Sequence, residues 1–501
     1  MAKNQNPEQL KQQPLWMLCV QPLVIRVFRV LIDQKIYSAL GTLISWVESW
    51  RDEQGAYNGY VVHRTETKRM GSVHDTAWTQ AAMIRGYGNL YRKSQELRWG
   101  ESMVKAADLF VSRYDSQTGR IIHTGHEDER YQSLVSCALG VCAILSIVDL
   151  VDDPRRDKYI RIVSDHIRRY WLDVLWIESE GAFKFAEIDF YSPNEDRFVI
   201  NFNSLAVEAL LKIYQATEEN EFRDIALRVG QWLIERWNYT KKFNEELLDG
   251  YTTVVDDPMS DWMPPGGFSY QFTESRRDPD NYVTLYTGLS LRGYYALYCA
   301  TADERFAEII RAQSEYVLAM RDPHTCLFYH TAKGGRIEKN PQFVAGAGMI
   351  LVGLYEVMPL LGNQVVPEDT IESILDRAYA NGSYPGFVGK NDTGLLGRDG
   401  GGVVWEDVAA SMNWNAQWFE YLTCLVEEPD KIDIKRSDKP VCIATRRFVY
   451  RDMPKSMQII SWWPMRSWGC FLYNKKRSTA LVSIYPRQIY GRICSWLRGG
   501  A

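Results

Sequence analysis

The feature that most constrains this 501-residue chain is an alternation between two kinds of helical segment. One kind is amphipathic, as in WGESMVKAADLFVSRY, YIRIVSDHIRRYWLDVL, FRDIALRVGQWLIERW and RFAEIIRAQSEYVLAM. The other is poor in charge and rich in Gly, Ala, Ser and Leu, as in SLVSCALGVCAILSIVDL, NFNSLAVEALLKIY, YVTLYTGLSLRGYYALY and PQFVAGAGMILVGLYEVM. A helix with one apolar stripe covers a core, whereas a helix apolar nearly all round is buried inside one. The periodicity predicts helices near 36–50, 74–92, 97–113, 130–150, 155–173, 201–217, 220–238, 281–300, 303–320, 340–361, 367–381 and 413–426, paired as an outer helix followed by an inner one. Links from inner to next outer helix are short: DDPRRDK, TEENE, TADE. Links from outer to inner are long, at 51–73, 114–129, 174–200, 239–280, 321–339 and 382–412. Many join a small-residue turn to aromatics (DSQTGRIIH, ESEGAFKF, DPHTCLFYH), which predicts short hairpins on one rim. Long loops gathered on one face of a repeated scaffold form its binding face.

The chain has ample apolar material for a large core, at 46% hydrophobic and 24% charged residues. Its nine Cys are scattered without a CxxC, and its seven His form no HxxxH or HExxH pair. That pattern fits reduced thiols in a cytoplasmic setting and implies no disulfide framework, zinc site or cofactor. The start, MAKNQNPEQLKQQP, is a poor signal-peptide region. The apolar run at 15–32 carries Arg26 and Arg29, which suits a docking or membrane-surface helix better than a spanning one.

Residues 430–501 hold fifteen Lys/Arg against four Asp/Glu, so the net charge of −5 conceals a basic tail of +11 on a body of −16. Interleaved with Trp462, Trp463, Trp468 and Tyr473, this tail suits an anionic membrane surface, a partner protein, or the acidic body itself; nucleic acid is not expected as a partner. Runs such as VCIATRRFVYR and TALVSIYP read as short strands. The expected domains are an N-terminal docking helix over 1–35, a helical body over 36–428 and a basic, aromatic, β-rich extension over 429–501.

The paired organisation over roughly residues 36–426 resembles the six-hairpin, (α/α)6-barrel superfamily of glycoside hydrolases, polysaccharide lyases and sugar epimerases. The resemblance implies a mainly α fold, an (α/α)6 toroid of six helical hairpins with a small β-rich C-terminal extension. It also implies a ligand funnel at the N-terminal ends of the inner helices. Those ends should then be polar above apolar bodies. They read VHDTAW (73–78), EDERYQS (127–133), VINFNS (199–204), DPDNYVT (278–284), EKNPQF (338–343) and SMNWNAQW (411–418). Helix capping explains a single Asp or Asn in a first turn. It does not require Asn201 with Asn203, Asn413 with Trp414 and Asn415, His74 with Asp75, or Arg130 with Tyr131. Converging amides, carboxylates and rings compose a pocket for a hydroxyl-rich ligand.

On this reading the substrate is a carbohydrate and no cofactor is needed. Asp75 leads as acid or base, beside His74, with Glu127, Asp128, Asp280 and Glu406 as candidate partners, because glycoside hydrolysis needs two carboxyl groups flanking one bond. Trp78, Tyr131, Tyr282, Trp405 and Trp414 would stack on sugar rings. Asn201, Asn203, Asn281, Asn340, Gln342, Asn413 and Asn415 would bind hydroxyls, with Arg130 available for a carboxylate. A uronate lyase or epimerase would instead use Tyr131, Tyr282 or His74 as base and Arg or Asn to hold the substrate carboxylate. A non-catalytic helical scaffold binding a glycan or a partner protein through the same rim remains open. SVHDTAW also resembles the SxxDTAW element of class II diterpene cyclases, but no DxDD or DDxxD accompanies it, and lanthionine-cyclase zinc ligands are absent.

Overall fold

A computed structural model describes residues 33–49, 51, 57, 76–122, 132–189, 194–249, 262–269, 271–273, 281–362, 365, 367–379, 382–388 and 412–434. The basic segment from 435 onward and the run at 15–32 lie outside these residues, as do most of the links at 51–73 and 382–412 and parts of those at 114–129, 174–200 and 239–280.

The outer helices are α1 (33–48), α3 (Leu97–Ser112), α5 (Asp153–His166), α7 (Asn220–Asp249), α9 (Glu304–Ala319) and α12 (Glu368–Leu375). The inner helices are α2 (Thr76–Ser94), α4 (Leu134–Leu145), α6 (Ile200–Thr217), α8 (Thr284–Thr301), α10 (Gly348–Glu356) and α13 (Met412–Leu425). A short α11 (Met358–Leu361) follows α10. Burial separates the two kinds as the periodicity predicts. Every residue of α4 is buried, whereas α3 buries only Trp99, Gly100, Met103, Ala106, Ala107, Phe110 and Val111, one stripe.

The inner helices pack in a closed ring, α2 on α4, α4 on α6, α6 on α8, α8 on α10, α10 on α13, and α13 back on α2. Glycine permits the closest of these approaches. A Cβ at Gly293 of α8 would lie 2.0 Å from the Ser204 carbonyl oxygen of α6, and one at Gly353 of α10 would lie 2.1 Å from that of Gly288.

Small strands gather on the N-terminal side of the inner helices. β1 (Tyr114–Asp115) pairs with β2 (Arg120–Ile121), β3 (Trp176–Ile177) with β4 (Ala182–Phe183), and β5 (Arg197–Val199) with β6 (Gln271–Thr273). β7 (Asn281–Val283), β8 (Tyr329–Lys333), β9 (Arg336–Phe343) and β10 (Phe387–Val388) form an antiparallel sheet in the order β10-β9-β8-β7.

This sheet corrects one expectation. The segment EKNPQF does not open the fifth inner helix; it is strand, and α10 begins only at Gly348. The deciding signal is Gly334-Gly335, both at positive φ (54° and 76°), which turns β8 back into β9 as a tight hairpin. Pro341 also lacks the amide that a helix interior needs. α5 continues through a π-helical stretch, Ile167–Leu175, and α7 runs well beyond the expected residue 238. Among the described residues no helix is long and apolar enough to cross a membrane.

Candidate functional site

One residue from each inner helix meets at the base of the toroid: Arg85 (α2), Cys142 (α4), Glu208 (α6), Arg292 (α8), Glu356 (α10) and Glu420 (α13). Arg292 donates twice to Glu208 at 2.9 Å, and Arg85 reaches Glu208 at 3.4 Å, Glu420 at 2.6 Å and, in a short contact, Glu356. Lys212 adds a contact to Glu208 at 2.8 Å. Burial alone would raise the Glu208 carboxyl, but Arg292, then Lys212 and Arg85, hold it well below its usual range. Burial dominates at Glu420 and raises it. The buried Cys142 thiol is pushed up by burial and then by Glu208, so it is no nucleophile. Among the described residues, no group of His, Cys, Asp and Glu has the arrangement of a metal site.

This ring sets the helix register. Seven residues earlier, on the same helix face and about 10 Å toward the N-terminal ends, stand Trp78, Val135, Asn201, Leu285, Met349 and Asn413. Three of these, Trp78, Asn201 and Asn413, are candidates from the sequence.

Trp78 is nearly buried and its indole N–H donates to Ser136 Oγ at 2.9 Å, tying α2 to α4. Asn413 is half-buried and its Oδ1 accepts from Gln417 at 2.9 Å. Asn201 differs from both. It is 1% exposed, and neither its Oδ1 nor its Nδ2 has a hydrogen-bond partner. A buried amide left wholly unpaired is costly.

The other amides serve the scaffold. Asn203 Oδ1 accepts from the Phe183 amide at 2.8 Å, and its Nδ2 donates to the carbonyls of Phe183 (2.9 Å) and Val199 (3.1 Å). Asn415 repeats the device on α13: it accepts from the Tyr384 amide at 2.8 Å and donates to the Tyr384 carbonyl at 2.9 Å. Each clasps a neighbouring link by its backbone, so neither amide is free for a ligand. Gln342 accepts from Thr325 at 2.7 Å and donates to Asp322 at 2.9 Å, again within the scaffold. Asn340 is exposed on β9 rather than at a helix entrance. Tyr282 is fully buried and donates to Asn244 of α7, so its ring does not stand on a ligand surface. Asn281 is half-buried on β7, where its Oδ1 accepts from Thr331 Oγ1 at 3.2 Å.

Trp414 is partly exposed and forms an aromatic wall with Phe387 (5.3 Å, nearly perpendicular) and Phe343 (6.4 Å). Behind it lies a residue that sequence reasoning missed. His330 stacks on Phe343 at 5.1 Å, its Nδ1 is enclosed without a partner, and burial pushes it down to about 4. Its only sequence signal was a place at the end of the aromatic run LFYH.

Two described rim arginines are matched by carboxylates. Arg197 lies 2.6 Å from Asp189 with both side chains buried, and its guanidinium stacks over Phe185 at 3.8 Å. Arg120 pairs with Glu187. None of the six inner helices has an acidic residue in its first turn. The candidate acids Asp75, Glu127, Asp128, Asp280 and Glu406 fall outside the described residues, together with His74, Arg130, Tyr131 and Trp405. Asp75 immediately precedes Thr76, the first residue of α2.

No protein-family model and no curated protein sequence matches the chain. Solved structures do match. The cellobiose 2-epimerase from Bacillus thermoamylovorans B4167 is 13% identical with a TM-score of 0.52, over 76% of this chain and 95% of its own. A GH76 α-mannanase from Bacteroides thetaiotaomicron is 11% identical with a TM-score of 0.54, over 78% and 96%. An unsaturated glucuronyl hydrolase from Streptococcus agalactiae is 12% identical with a TM-score of 0.50, over 78% and 92%. Closed inner ring, outer layer and these matches together make the chain a six-hairpin (α/α)6 toroid, the fold it shares with these structures.

Proposed function

We propose that this protein is a carbohydrate-active enzyme that binds a glycan at the N-terminal ends of its inner helices and cleaves a glycosidic bond there. The observation that carries the reading is Asn201, a buried amide with no partner on the axis-facing side of α6. An amide offers one acceptor and two donors at a single point, which matches neighbouring sugar hydroxyls. Trp414 and Trp78 supply apolar ring faces in the same region. The sugar-processing activities named for the similar structures support a carbohydrate substrate in general.

Hydrolysis leads over uronate chemistry in this reading, and two of the rim arginines count for it. A lyase or uronate epimerase needs a free cation for the substrate carboxylate, and the described Arg197 and Arg120 are each committed to an acid. The acid–base work falls to Asp75, with a second carboxyl group across the bond.

Wild type and Asp75→Asn compared on a panel of neutral and uronic-acid polysaccharides test this. New reducing ends from the wild type, lost in the variant and without the ultraviolet absorbance of an unsaturated uronate, are expected. Appearance of that absorbance, or equal cleavage by the variant, would overturn the assignment.

A further inference from the structure

Side chains plug the base of the toroid, and the plug limits how a glycan can lie above it. In the inner ring α2 packs between α4 and α13. Yet Arg85 of α2 reaches Glu208 of α6 at 3.4 Å and also meets Glu356 of α10. Neither helix is a ring neighbour of α2, so these contacts cross the axis. Arg292 of α8 completes the crossing, to Glu208 at 2.9 Å and Glu356 at 3.7 Å. The side chains of Arg85, Glu208, Arg292 and Glu420 are each no more than 13% exposed. Paired guanidinium and carboxylate groups thus fill the axis at this level, and a sugar chain has no way through it.

Above the plug stand two amides with unpaired atoms. Asn201 of α6 lies seven residues before Glu208, about 10 Å nearer the mouth. Gln417 of α13 lies three residues before Glu420 on the same helix face, about 5 Å nearer the mouth. Its Nε2 donates to Asn413 Oδ1 at 2.9 Å, and its Oε1 is enclosed without a partner. α6 and α13 are three places apart in a ring of six, so the two amides face each other across the axis. Gln417 Oε1 accepts a hydroxyl hydrogen, and Asn201 both donates and accepts. Both residues are at most 1% exposed. A glycan lying across the mouth does not reach them; a unit entering along the axis does.

We infer that the funnel is a blind pocket that takes the end of a glycan chain, with Gln417 and Asn201 gripping the terminal sugar from opposite sides. This rests on the carbohydrate-active reading above. The depth between the first helical turns and the plug admits only the last units of a chain, so cleavage releases short pieces from that end. Each event consumes one water. The electron pair of the broken glycosidic bond stays on the leaving oxygen, which gains a proton, and the water's hydroxyl adds to the anomeric carbon.

Product sizes test the inference without any variant, so a folding defect cannot decide it. Wild type on soluble mannan and β-glucan should release short sugars from the first turnovers, while viscosity falls late. A ladder of long products with an early fall in viscosity would overturn the blind pocket. Gln417→Met, which keeps the bulk and removes the acceptor, should raise KM for the shortest oligosaccharide cleaved by about 3- to 10-fold with kcat little changed. An unchanged KM would remove Gln417 from the subsite. Wild type inert on the polymers and on their oligosaccharides would instead sink the carbohydrate-active reading beneath both.

Discussion

Arg292 of α8 holds Glu208 of α6 through two hydrogen bonds of 2.9 Å, between side chains each only 3% exposed. With Arg85, Glu356 and Glu420 this pair closes the base of the toroid, so helices far apart in sequence are fastened in one plane. Buried charges are costly to leave single. Arg292→Ala should therefore lower stability by about 3–5 kcal/mol in chemical denaturation. The double variant Arg292→Met/Glu208→Leu should cost clearly less than the single one. If the double variant is the worse of the two, the cost lies in lost attraction rather than in an orphaned charge.

Asn203 and Asn415 perform the same task on inner helices on either side of the ring. Each side chain pairs both the amide and the carbonyl of one link residue, Phe183 or Tyr384, so Asn203→Ala or Asn415→Ala leaves those backbone groups without these partners. Each should cost about 1–3 kcal/mol. Hydrogen exchange should accelerate most at the Phe183 amide in the first variant and the Tyr384 amide in the second. Uniform acceleration throughout the helices would count against the clasp.

His166 should make stability fall in mild acid. Its Nδ1–H donates to the Gly119 carbonyl at 2.8 Å and its Nε2 accepts from the Trp171 indole at 3.1 Å, an arrangement that only the neutral ring can hold. Burial pushes it down to about 4, whereas the unfolded chain titrates near the ordinary 6.5. The unfolded state thus takes up the proton first. The contribution is complete above pH 6.5 and is lost as pH falls from there toward 4, reaching about 3 kcal/mol. Stability curves of wild type and His166→Gln should converge across that window; parallel curves would exclude His166 as the titrating group.

Asn201 should trade stability for binding. Replacing the unpaired amide by a near-isosteric apolar side chain removes a desolvation cost, so Asn201→Leu should raise stability by about 1 kcal/mol. The same change should weaken turnover of any polysaccharide that wild type cleaves, chiefly through KM. A loss of stability would mean that the amide is satisfied inside the protein.

The sequence by itself determined the architecture. Charge-rich and charge-poor helices alternate because one face of an outer helix meets water and no face of an inner helix does, and that distinction is written in periodicity. It also determined the candidate mouth residues Trp78, Asn201 and Asn413, since first turns are recognisable beside apolar helix bodies. Tertiary structure alone decided their fates. Asn201 and Asn203 sit two positions apart, yet the helix turns one toward the axis and the other into the backbone of Phe183. Tyr282 looked like a ligand platform until strand alternation sent it into the core against Asn244. Arg85, Glu208 and Arg292 were invisible as a ring because their helices lie distant in the chain and meet only when the toroid closes. Periodicity reports which side of an element is buried, but which groups face one another across a closed ring is fixed by packing between elements that share no local sequence.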